Sequence, residues 1–136
     1  MNDAPLKRWR VYPGESRRFV EVLAWGSRAA MLRYMRAIGI RGHAHAVGVT
    51  ISNPSRTRMP RWVASVHLVL KASNAETITH EAVHAAMAYV ALVADLRGLS
   101  SRGEVEERLA DAAGRIAQGI ADGLRKLTVI KTKREP

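Results

Sequence analysis

The sequence predicts an α+β domain: a small twisted, mostly antiparallel sheet with one N-terminal helix, then two long helices packed on one sheet face. Three observations predict it. Short runs of β-branched and aromatic residues are confined to the first 70 or so residues, helical apolar spacing dominates after about residue 75, and 136 residues suit one domain. Hydrophobic residues make up 47% of the chain, enough for one modest core but not two.

Trp9–Tyr12 and Phe19–Trp25 read as strands, separated by the turn signal Pro13-Gly14. Gly26-Ser27 ends the second and can cap a helix from about Arg28 to Ile38. Its apolar face carries Met31, Leu32, Met35 and Ile38, and Gly39 and Gly42 close it. Ala44–Ile51 alternates loosely and reads as a third strand. Residues 52–61 form a loop with two prolines and three arginines. Trp62–Leu70 is the best-patterned strand, with Val63, Ser65, His67 and Val69 on one face and Trp62, Ala64, Val66, Leu68 and Leu70 on the other. Two helices finish the domain, from Ala75 or Glu76 to Leu96 and from Glu104 to Leu127. The division is a basic sheet-containing half, 1–74, a helical half, 75–127, and a basic tail, 128–136, expected to be disordered.

Charge is distributed unevenly. The chain carries a formal net charge of +10, yet residues 1–62 hold 12 Lys and Arg against 3 Asp and Glu, while residues 63–127 hold 7 against 8. There is no cysteine, which excludes a disulfide scaffold, an iron–sulfur protein and any thiolate zinc finger. A metal site must therefore use His, Asp and Glu. The N-terminus has no apolar run after its charges, and the most apolar stretch, Ala82–Leu96, is shorter than the roughly 20 residues of a membrane span. A cytoplasmic protein without a membrane segment is the expectation.

The chemistry lies in His80-Glu81-Ala82-Val83-His84 on a predicted helix. Four residues at about 100° each bring both imidazoles to one face, a turn apart, where they can chelate one zinc ion. Glu81 sits just off that face, placed to accept a proton from a water whose pKa zinc lowers toward about 7. The pattern arises by chance in about one such sequence in a hundred. Its plain alternative is a partly buried helix that binds no metal. A third ligand is needed, and Glu104, Glu106 and Glu107 open the last helix. Glu107 begins a small-residue stripe continued by Ala110, Gly114, Ala117 and Ala121, whereas Glu106 lies between two apolar stripes, so both stay open.

His80-Glu81-Ala82-Val83-His84, followed 23 residues later by Glu107-Arg108-Leu109-Ala110-Asp111, resembles the zincin metallopeptidases of the gluzincin type. The compact layout is similar to minigluzincins and small phage-encoded zincin-like proteins. The resemblance covers residues 62–127. It implies a zincin-like domain over 1–127 with one Zn²⁺ per chain held by His80, His84 and Glu107, with Glu106 as the alternative. It further implies Glu81 as general base, Asp111 as hydrogen-bond partner of a ligand histidine, and a peptide or protein substrate paired along Trp62–Leu70. Tyr89, Tyr34, His67, His43 and His45 are candidates for stabilising the transition state, none with diagnostic spacing.

A second function class is a non-catalytic, phage-related zincin scaffold whose basic N-terminal half binds nucleic acid or an acidic protein. Arg56, Arg58 and Arg61 beside Trp62 form the best such patch, cations for phosphate next to an aromatic for stacking. Lys7, Arg8, Trp9 and Arg10 repeat the pattern. A third is a structural domain whose zinc only staples the last two helices.

Overall fold

The computed structural model describes residues 4–43, 45–53, 61–97 and 101–134. Among them the chain runs β1 (Lys7–Val11), β2 (Phe19–Trp25), α1 (Arg28–Ala37), β3 (Gly48–Ser52), β4 (Trp62–Val69), α2 (Ala75–Arg97) and α3 (Arg102–Arg134). The α+β class holds. The sheet is mixed, in the order β1-β2-β4-β3. Its outer pairs are antiparallel, but β2 and β4 run parallel at the centre, with Val22 opposite Val66 and Leu23 opposite His67.

Local chemistry sets the helix ends. The Ser27 side chain accepts the Ala30 amide at 3.1 Å, Asn74 Oδ1 accepts Thr77 N–H at 2.9 Å, and Ser101 Oγ accepts Glu104 N–H at 3.1 Å. Helix α1 closes on Gly39 at φ +85°, with Ile40 N–H bonded to the Met35 carbonyl and Gly39 N–H to that of Arg36. Helix α3 continues to Arg134, so the expected tail begins as helix backbone.

The two long helices share one face of the sheet, as expected, and α1 covers the other. β2 and β4 are almost wholly buried along their length, which two covered faces require. On one side Val20, Val22, Ala24, Ala64, Val66 and Leu68 pack against α2 and α3, through Ala82, Ala85, Ala86, Ile116 and Ile120. On the other, Leu23, Trp25, Val49 and Val69 pack against Met31 and Met35 of α1. The alternation in β4 was read correctly; both of its faces are core.

Helix α3 also closes on β1. Trp9 Nε1 donates to the Gly119 carbonyl at 3.1 Å and Lys7 Nζ to that of Gly123 at 3.2 Å. A Cβ on Gly123 would lie 2.2 Å from the Trp9 ring and one on Gly119 2.6 Å from Val11, whereas a Cβ on Gly114 would meet nothing within 4 Å. Gly123→Ala is therefore expected to destabilise by about 1–3 kcal/mol through overpacking, despite alanine's better helix propensity. Gly114→Ala is expected to stabilise by about 0.5–1 kcal/mol. Urea unfolding of the two variants checks that opposite sign.

Candidate metal and peptide site

Helix α2 lies across the sheet with its alanine-rich side inward, and Glu81 falls on that buried side, 5% exposed. A carboxylate there needs partners. Thr50 on β3 supplies one: its hydroxyl lies 2.8 Å from Glu81 Oε1 and 3.2 Å from the Glu81 carbonyl oxygen. Gly48, two residues earlier, makes the approach possible, because a Cβ there would stand 2.9 Å from Glu81 Cγ and 3.1 Å from Thr77 Cγ2.

His80 and His84 project from the solvent side of the same helix. Their Nε2 atoms are 3.1 Å apart, and Glu81 Oε2 is 4.0 Å from His80 Nε2. Two nitrogens bound at 2.0–2.1 Å to a tetrahedral zinc would be separated by about 3.3 Å, so the imidazole pair fits as two ligands. Free of an ion, one ring donates its N–H to the lone pair of the other. Beside them a cleft of about 300 Å³ opens between α2 and the segment leading into β3, lined by His45, Gly48, Glu76, Thr77, His80 and Glu81.

Glu107 is not brought to the histidines. Helices α2 and α3 are joined by a short connection and run back along each other, and Tyr89 shares a cleft with Arg108, Asp111 and Ala112. In that register His84 lies level with about residue 116, leaving Glu107 roughly 13 Å away along the axis. Glu106 is likewise at the far end and pairs with Arg102 at 2.9 Å; both glutamates are exposed. Asp111 faces the Tyr89 end of the pair, away from His80 and His84. Among the described residues no group of three or more His, Asp or Glu is spaced to hold an ion.

The strand expected to bind substrate is also placed differently. β4 is paired on both edges, to β2 and to β3, so its backbone groups have no capacity for an extended peptide. The edge beside α2 belongs to β3. There, Val69 N–H bonds to the Val47 carbonyl and Asn53 N–H to that of Val63. The alternating pattern thus turns the backbone groups of Gly48, Thr50 and Ser52 outward. Gly48 and Thr50 are the positions beside Glu81 that sequence reading missed. A lone glycine and threonine carry no motif, and only the position of β3 beside α2 makes them neighbours of Glu81.

The remaining candidates scatter. His67 and Tyr34 belong to an aromatic cluster under α1, where Trp25 Nε1 donates to His67 Nδ1 at 3.1 Å and the Tyr34 and His67 rings are 5.4 Å apart. The Tyr89 ring lies against Gly14, and His43 borders a separate cleft with Met35 and Ile40. Arg56 and Arg58 lie outside the described residues. Arg61 is exposed, and the half-buried Trp62 indole donates to Ser65 Oγ at 3.0 Å.

No family model, curated protein or solved structure matches this chain. Among the described residues no helix is long and apolar enough to cross a membrane.

One titration is dictated by the packing. Burial, and secondarily the Arg8 guanidinium, push His67 down from 6.5 to about 4. Between those values the unfolded chain binds a proton that the folded protein refuses. Stability should therefore fall as pH drops from about 6.5 to about 4, by on the order of 3 kcal/mol, and be indifferent to this group above that window. Urea midpoints across that range test it, and His67→Gln, which keeps an acceptor for Trp25, should flatten the slope.

Proposed function

We propose that the protein is a zinc-dependent hydrolase of the zincin type that acts on an extended peptide, with His80 and His84 as metal ligands and Glu81 as general base. One observation carries the reading: two imidazole nitrogens 3.1 Å apart, with a carboxylate oxygen 4.0 Å from one of them. When bound, zinc supplies Lewis acidity toward the scissile carbonyl and makes a nearby water more acidic. Glu81 accepts the proton of the attacking water at Oε2, while the Thr50 hydroxyl holds Oε1 and fixes the carboxylate. The free groups of Gly48, Thr50 and Ser52 pair with the substrate backbone and draw it past Glu81.

His45 shares the cleft with His80 and Glu81, but this reading assigns no third protein ligand, because among the described residues no three such groups are spaced to hold an ion. Zinc titration of the purified chain should reach one equivalent. His80→Ala and His84→Ala should each weaken binding by tenfold or more, and Glu107→Ala should leave it unchanged. Glu81→Gln should retain zinc and lose hydrolysis of a generic peptide substrate by roughly 10²–10⁴-fold. A reconstituted protein that takes up no zinc would sink the reading.

A further inference from the structure

At the opposite edge of the sheet β1 carries no neighbour on its outer side among the described residues. Its edge opens onto a groove of about 830 Å³ between β1 and α3. The groove is cationic: Lys7 lines it from β1, and Arg115 and Lys126 from α3, while Arg10 borders it with its guanidinium turned to Phe19 on the other sheet face. Its one acid, Asp122, is already satisfied by Gln118 Nε2 and Arg125, each at 2.9 Å. Lys7 spends one donor on the Gly123 carbonyl, and the Arg10 guanidinium sits over the Phe19 ring at 4.0 Å.

We infer that this groove docks an acidic, extended segment of a partner protein, which adds to β1 as a fifth strand. The length fits, since five residues of β1 offer about 17 Å of edge and α3 from Gly114 to Lys126 offers about 18 Å of wall. An open strand edge presents alternating donors and acceptors, which another peptide backbone matches. A phosphate backbone, which only accepts, would face the β1 carbonyls unfavourably. Nor does Trp9 offer a face for stacking bases: its ring lies on Gly123, its N–H bonds to Gly119, and Lys7 Nζ stands 5.1 Å from its centroid. The cations repel a second copy of the same edge and select acidic side chains on the incoming strand.

The test uses the full chain and a capped heptapeptide alternating Glu and Val. Binding should shift the backbone amides of residues 7–11 in NMR spectra. N-methylation of alternate peptide nitrogens, which preserves charge but blocks strand pairing, should weaken affinity about tenfold or more. Arg115→Glu and Lys126→Glu, both on the exposed side of α3 and checked for folding by circular dichroism, should each do the same. Equal binding of the N-methylated peptide overturns the inference. So does tighter binding of oligothymidylate in the groove, or failure of the acidic peptide to shift the β1 amides.

Discussion

The parallel pairing of β2 with β4, buried on both faces, is the constraint on which the rest of the structure depends. Two adjacent strands whose side chains are core on either side need cover above and below. Helix α1 supplies one layer, within the crossover that returns the chain parallel to β2, and the α2–α3 pair supplies the other. The second layer is alanine-rich, and small side chains let the helices sit low on the sheet. That closeness brings the buried carboxylate of Glu81 within reach of a β3 hydroxyl.

With the centre so covered, two of the clefts among the described residues open at the edges of the sheet. At the β3 edge, a carboxylate, two imidazoles and outward-facing backbone groups converge on one cleft. At the β1 edge, cations from a strand and a helix flank backbone that pairs with no further strand among the described residues. The two clefts lie on opposite margins of the four-stranded sheet. Lys7 is joined by Arg115 and Lys126 across a single groove, although more than a hundred residues separate them in the sequence.

Much of this was legible in the residues. The strands Phe19–Trp25 and Trp62–Val69, the caps at Ser27 and Gly39 and the start of α2 follow from local spacing and turn chemistry. So does the placement of His80 and His84 on one helix face, because helical geometry alone decides it. What failed were statements about partners distant in sequence. Glu107 was paired with the histidines by its small-residue stripe and by resemblance, but α2 extends far beyond His84 before the chain turns back, and α3 returns with Glu107 toward the other end. Trp62–Leu70 was expected to meet substrate because it precedes the helix, yet β3 occupies the edge beside α2 which that reading needed.

By itself the sequence determined the elements, their faces and the imidazole pair, all of which depend on contacts within a few residues along the chain. Only the tertiary structure decided which strand is central, which edge stays open, that Thr50 holds Glu81 and that His45 rather than Glu107 shares the cleft. Those outcomes turn on strand order and helix register. Both are set by how much apolar surface each packing buries across the whole domain, a quantity that no local pattern contains.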